Sequence, residues 1–266
     1  MYMEITVAIV CSNDRRIAKC LTSIPKGVRI IVVLNNPTDE VIQIVVNDNR
    51  VETLRFDELN LGYLRQLAAD NAKTSGIIYI DSDCEFGENT IEYVSSELEK
   101  YAAVSIPLRF KSNSFSTKIV ARCRTFTTPD DALFMPAAFR VDIQKFIGGY
   151  LYDKRLSWGE DGDQKKRLEN NNIDFCISEG VIWHRALNFY DDAQSAMRLG
   201  VGRLIREKNG LSRSRVLWKD VLPFRDIKLS IQCAKLVGLL PALYHLFVWR
   251  PSYKYGYWKE VFKNGH

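Results

Sequence analysis

Two carboxylates one residue apart close an apolar run. Residues 76–84 read Gly-Ile-Ile-Tyr-Ile-Asp-Ser-Asp-Cys, which puts Asp81 and Asp83 at its end. Close carboxylates repel unless a positive charge sits between them. A hard divalent cation meets that need, above all one that also holds phosphate oxygens. The run has the length and Ile content of a buried parallel strand. In an open α/β sheet, ligands bind beyond the carboxyl ends of the strands. Asp81 and Asp83 are therefore expected in a ligand crevice, holding a nucleotide diphosphate through a metal.

A second acidic constellation is Trp158-Gly159-Glu160-Asp161-Gly162-Asp163, with Asp153 shortly before it. Leu168 then begins a helix-like return to apolar residues, followed by Ile173, Phe175 and Ile177. Such a cluster either does chemistry or complements the dipole at a helix N-terminus. A third element, Val181-Ile182-Trp183-His184-Arg185, ends a short apolar strand in one of the three histidines of the chain. His184 is either a structural residue or the side chain that completes the coordination of Mn²⁺ or Mg²⁺ at Asp83.

The elements that must position these groups are legible upstream. Residues 4–11, 28–34, 51–55, 76–81 and 102–107 read as strands. Helical spacing appears at Ile17, Leu21 and Ile24, over Leu61–Lys73, and at Ile91, Val94 and Leu98. A further helix is expected from Thr38, placed as an N-cap. Strands alternating with helices imply a mostly parallel sheet. The polar stretch 107–131 is expected to connect elements on the substrate side, and residues beyond about 186 read as helices with basic faces.

The motifs, taken in order, resemble those of family 2 glycosyltransferases with the GT-A fold. They are Val7-Ala8-Ile9-Val10, Ile31-Val32-Val33-Leu34-Asn35-Asn36, Asn60-Leu61-Gly62, Asp81-Ser82-Asp83, Phe146-Ile147-Gly148-Gly149-Tyr150, Trp158 to Asp163, and Trp183-His184. The resemblance implies an α/β fold, a mostly parallel sheet flanked by helices, that binds a nucleotide-diphospho-sugar. It covers residues 4–185 and implies a catalytic domain at 1–187, followed by a basic helical segment at 188–266.

The implied roles follow the motifs. Val10, Ser12, Asn35, Arg65, Asp81, Ser82, Asp83 and Gly149 would line the donor nucleotide. Asp83, Asp81 and His184 would hold Mn²⁺ or Mg²⁺. Asp161 would be the general base that deprotonates the acceptor hydroxyl, Glu160 would orient acceptor or sugar, and one displacement would invert the anomeric centre. The chemistry agrees with these roles. A metal stabilises a nucleoside diphosphate leaving group without a proton donor. A sugar hydroxyl is a poor nucleophile and needs a positioned base.

This chain departs from the family pattern at several points. Asn35 stands where an Asp that reads the base is usual, and an amide both donates and accepts. Arg65-Gln66 comes earlier than the usual Arg-Asn pair, with Ala68-Ala69 near that place. The stretch from Gly149 to Glu160 runs about one residue long, and Gln164 replaces a frequent Leu.

Composition sets the remaining bounds. The 266 residues are 46% hydrophobic and 26% charged, which are ordinary globular values. Six scattered cysteines show no metal spacing and fit buried positions in a reducing compartment. No basic and apolar leader opens the sequence, so a cytoplasmic start is expected. Residues 203–266 hold 13 Lys/Arg against four Asp/Glu, a surplus of nine, so the rest of the chain carries −4 of the total +5.

The tail crowds aromatic residues among lysines, a composition that suits a bilayer interface. The stretch 229–249 is too short and too interrupted to span, since a span needs roughly 20 predominantly apolar residues. An in-plane segment on the anionic inner face of the membrane is expected, or else a helical pair with its aromatics in the core. The family resemblance implies an acceptor that is a glycan or lipid-linked hydroxyl, in surface polysaccharide or glycolipid synthesis. A sugar-1-phosphate nucleotidyltransferase would need a Gly-rich loop after the first strand, and residues 11–16 contain no glycine. A nucleic-acid-binding module using the basic tail would leave Asp81, Asp83 and Asp161 idle, so nucleic acid is not an expected partner.

Overall fold

The structure is a computed structural model and describes residues 3–57, 60–128, 137–210 and 224–263. Two compact units divide the chain. One joins Met1–Arg109 with Asp130–His184, the other Phe110–Pro129 with Arg185–His266.

The first unit is built on a seven-stranded sheet. In chain order its strands are β1 (Ile5–Cys11), β2 (Arg29–Asn35), β3 (Val51–Phe56), β4 (Gly76–Asp81), β6 (Ala103–Ser105), β8 (Ala137–Arg140) and β9 (Phe175–Ile177). Their spatial order is β3-β2-β1-β4-β8-β6-β9. The first four are mutually parallel, as the alternating pattern predicts. β8 runs antiparallel to both β4 and β6, and β9 is parallel to β6. The chain leaves β1 toward β2 on one side and returns to β4 on the other. That is the strand-order reversal at which such sheets bind ligands.

The central strands read as continuous Ile and Val because both faces are covered. Val7, Ile9, Val32 and Ile78 are fully enclosed on one side, and Val33, Ile77 and Tyr79 on the other. Each such side chain contributes about 1.5–3 kcal/mol relative to exposure. The helices that cover them are α1 (Ile17–Thr22), α2 (Asp39–Val46), α3 (Leu61–Asn71), α4 (Thr90–Leu98) and α6 (Glu160–Asn170). Thr38 does stand before α2 with extended backbone, but its side chain makes no cap bond. Its amide is instead held by Asn13 Oδ1 at 2.8 Å.

A second sheet has three short strands, β5 (Cys84–Phe86), β7 (Leu108–Phe110) and β10 (Ile182–His184), in the order β5-β10-β7. Three-residue strands are too short to show periodicity. This sheet was therefore not foreseen, although the strand ending at His184 was.

The stretch 107–131 is not merely a connection. It contains α5 (Phe115–Thr127), and its last three residues lie outside the described ones. Ser114 caps the helix by accepting the Thr117 amide at 3.3 Å, while Thr117 Oγ1 accepts the Ser114 amide at 2.9 Å. This is a capping box in which Thr does the work usually done by Glu.

The second unit packs α5 with α7 (Phe189–Lys208), α8 (Phe224–Val237), α9 (Leu239–Tyr244), a π-helical turn (His245–Trp249) and α10 (Arg250–Lys263). Two glycines let α7 and α10 approach closely. A Cβ at Gly200 would strike the Tyr253 carbonyl, and one at Gly256 would strike that of Met197. Asp192 is wholly buried, and it accepts from Arg124 Nε at 2.5 Å and from the Tyr244 hydroxyl at 2.7 Å. The aromatics of the tail divide between core and surface: Tyr244, Trp249 and Tyr257 are buried, while Phe247, Tyr255 and Phe262 are exposed.

His245 gives this unit a pH dependence. Its Nδ1 lies 2.9 Å from Ser230 Oγ, and its ring packs against Phe126 and Trp249. Burial, then the Arg250 charge, pull its pKa down to about 4 from the ordinary 6.5. The unfolded chain thus binds this proton first. The stabilisation is complete above pH 6.5 and is lost as pH falls toward 4, at most about 3 kcal/mol. The melting temperature of the full chain is expected to drop across that window. His245→Asn, which does not titrate, should flatten the drop; an unchanged slope would show that His245 is not its source.

Candidate active site

The carboxyl ends of β1, β2 and β4 bring together the N-terminal motifs. Val10 is flanked across the sheet by Val33 and Asp81. Asn35 ends β2, buried, with its Oδ1 lacking a hydrogen-bond partner among the described residues. Ser12 is exposed on the loop after β1. That loop reaches the acidic motif through Asp14, whose Oδ2 accepts from Ser82 Oγ at 3.4 Å. Asp14 is also gripped by Arg16 at 2.6 and 2.7 Å. Burial works to raise the Asp14 carboxyl, but the Arg16 bonds outweigh it and hold the group below its ordinary range.

Arg65 joins the two acidic constellations. Its guanidinium donates to Glu160 Oε1 and, at 3.1 Å, to Asp81 Oδ1. These partners come from α6 and from the end of β4, 95 and 16 residues away. The packing of α3 makes this possible. Asn60 caps α3 by accepting the Tyr63 amide at 3.2 Å and donates to the Lys154 carbonyl. Gly62 donates to the Leu156 carbonyl at 2.8 Å, and a Cβ there would collide with the carbonyls of Asp153 and Leu156. One turn on, Gln66 Oε1 accepts the amides of Leu151 and Tyr152, both at 2.8 Å. The segment before Glu160 is thus tied to the same helix face that carries Arg65. Tyr79 completes the support by donating to the Arg65 carbonyl at 3.1 Å.

Both members of the central ion pair are buried: Arg65 is 5% exposed and Glu160 3%. Burial works against the charge on Arg65, but the Glu160 and Asp81 carboxylates outweigh it and hold the guanidinium charged. Burial pushes the Glu160 carboxyl up to about 7. Arg65 pulls it back, while Asp161 and Asp81 add to the rise. Glu160 Oε2 remains buried without a hydrogen-bond partner among the described residues.

Asp161 follows in the first turn of α6, half-buried, with Oδ1 taking the Gly162 amide at 2.7 Å. Gly159 opens this helix in the left-handed conformation, φ +76°, which a side chain would strain. Asp163 turns away and pairs with Arg167 at 2.8 Å, so it serves structure. The helix begins at Glu160 and carries Leu168 near its end, which makes the acidic run a first turn as well as a site.

Asp83 and His184 meet through the small sheet. Cys84 and His184 are directly opposed in the antiparallel β5–β10 pair, so their side chains share a face. His184 Nε2 lies 3.4 Å from Asp83 Oδ2. Ligand atoms of Asp83, Cys84 and His184 all lie within 4.8 Å of one another. A carboxylate and an imidazole so placed fit a divalent cation. Burial, then the Asp81 and Asp83 carboxylates, push the Cys84 thiol well above its ordinary range, which leaves oxygen and nitrogen as the ready donors. Asp81 is not one of the three and is held by Arg65 instead. Gly149 is exposed in a left-handed turn, φ +88°, and its amide donates to the Gln144 carbonyl at 2.7 Å.

Several contributors were not singled out from sequence. Arg16 lies 3.9 Å from Asp83, and Asp14 accepts from both Ser82 and Arg16. Asp14-Arg15-Arg16 directly after the first strand was a visible signal, since charges at that point of the fold face the crevice.

The profile described as Glycosyl transferase family 2 matches residues 6–150. TarS residues 1–349 from S. aureus shares the fold, with TM-score 0.54 over 99% of this chain and 92% of that one, at 17% identity. The same protein in complex with UDP-GlcNAc gives 0.55 over 99% and 93%, at 15% identity. No curated protein matches the chain. The sheet with its covering helices is the GT-A fold, and the chain is a glycosyltransferase that belongs to glycosyl transferase family 2.

Proposed function

We propose that the protein transfers one sugar from a nucleotide diphosphate-sugar to a hydroxyl of a glycan or lipid-linked acceptor, inverting the anomeric carbon. The observation that carries this reading is the Arg65 bridge, which sets the donor-side Asp81 against the acceptor-side Glu160. The complex of the TarS structure with UDP-GlcNAc supports a donor of this class.

Each residue has a distinct task. The orphaned Asn35 Oδ1 accepts an N–H of the base, beside Val10 and Ser12. Asp83 and His184 would hold Mn²⁺ or Mg²⁺. A cation there would offset the negative charge of the diphosphate leaving group. Asp161 takes the proton of the acceptor hydroxyl as its oxygen attacks the anomeric carbon and the bond to the diphosphate breaks. Glu160 is fixed by Arg65 through one oxygen and orients the acceptor through the other. By family analogy, the product proposed is a surface polysaccharide or glycolipid.

A thermal-shift screen of nucleoside diphosphates and their sugars, with and without Mn²⁺, tests the reading. One base class should raise the melting temperature in a concentration-dependent way, because a ligand of the folded state stabilises it by mass action. No shift with any diphosphate at saturating concentration would refute it.

A further inference from the structure

The outward surface of the second unit is apolar where a helical bundle should be polar. In α8 the buried residues are Asp226, Ser230 and Cys233, which lie three and four apart on one face. Phe224, Ile227 and Ile231 repeat with the same spacing on the opposite face, and Phe224 and Ile231 are 73% and 53% exposed. Gly238, at φ +101°, then breaks the helix. Leu236 and Leu239, on either side of that break, are 74% and 66% exposed, and Leu240 follows at 51%. The corner between α8 and α9 thus carries leucines in water, and Phe247 further along the chain is exposed as well. An exposed apolar stretch of this extent marks a surface that something covers.

We infer that this surface docks into an anionic lipid bilayer, lying in the plane of the interface. Charge selects the occupant. Lys228 and Lys235 are exposed and lie seven residues apart, so they flank the Phe224–Ile231 stripe. The one acid of α8, Asp226, faces inward and is neutralised by Arg250, at 2.7 Å, and by Lys254. The outward face of α8 therefore presents lysines without a carboxylate. A second copy of the chain would bring the same lysines against each other, whereas anionic headgroups attract them. An apolar stripe edged by lysine is the pattern of a helix that sinks its side chains to the headgroup boundary. No helix among the described residues is long and apolar enough to cross the membrane, so the segment lies on the bilayer.

The test uses the full chain and co-sedimentation with phosphatidylcholine vesicles, with or without phosphatidylglycerol. The wild type is expected to pellet with the anionic vesicles and less with the neutral ones. The triple variant Leu236→Ser/Leu239→Ser/Leu240→Ser should reduce partitioning by about tenfold or more, as should Lys228→Glu/Lys235→Glu. All five side chains are exposed, so both variants should melt like the wild type. The inference is overturned if the wild type stays in the supernatant with anionic vesicles, or if the leucine variant pellets equally well. It is also overturned if light scattering shows a wild-type dimer that the leucine variant dissociates, since a second copy is then the occupant.

Discussion

Asp161→Asn is expected to bind donor as tightly as the wild type and to transfer sugar about 10²–10⁴-fold more slowly. The asparagine amide fills the same space but takes no proton, so the acceptor hydroxyl attacks without a base. With Asp161 as the proposed base and the donor held elsewhere, the loss should fall on kcat. Folding should survive. Asp161 sits half-buried in the first turn of α6, where removing one negative charge costs about 0.3–1 kcal/mol. Calorimetric donor binding and steady-state transfer, measured on one preparation, check the split. Wild-type turnover in this variant would remove Asp161 from the chemistry.

Arg65→Met is expected to lower stability by about 3–5 kcal/mol and to abolish transfer. The guanidinium neutralises Glu160 and Asp81 at once, and both it and Glu160 are buried. Without it, only a backbone hydrogen bond opposes burial and the Asp161 and Asp81 carboxylates, so the Glu160 carboxyl moves further up. The double variant Arg65→Met/Glu160→Gln should recover much of the stability, because no buried charge remains unpaired, and little of the activity. Arg65→Lys separates the two effects. An ammonium keeps the charge but cannot fork toward two carboxylates, so it should fold and still turn over slowly. Chemical denaturation curves read the stability, and a single-variant loss below about 1 kcal/mol would contradict a central role for the pair.

The half of the fold that carries the donor motifs was legible because its strands are buried on both faces. Ile30 to Leu34 and Ile77 to Ile80 are continuous apolar runs with no exposed side to interrupt them. Their order along the chain then dictates a parallel sheet, and the ends of those runs mark the crevice. What stayed hidden depends on pairing across long stretches of chain. The strands that set Cys84 against His184 have three residues each, too few for any period to emerge. Helix α5 was obscured because Thr117 replaces the Glu that makes a capping box recognisable.

Arg65 shows the same limit within the site. The family resemblance put it beside the donor nucleotide, and nothing nearby in sequence pointed to Glu160, 95 residues on. The identities of Asp81, Asp83, Glu160, Asp161 and His184 were readable as chemistry. The guanidinium that joins two of these carboxylates was readable only in three dimensions.

Asp83 is proposed to hold a cation that binds the donor diphosphate. Titration calorimetry tests it most directly, using the nucleoside diphosphate that gives the largest thermal shift. Mn²⁺ should tighten its binding to the wild type by about tenfold or more, and Asp83→Ala should bind weakly and equally with or without the metal. Equal Mn²⁺-dependent affinity in wild type and Asp83→Ala would contradict the account.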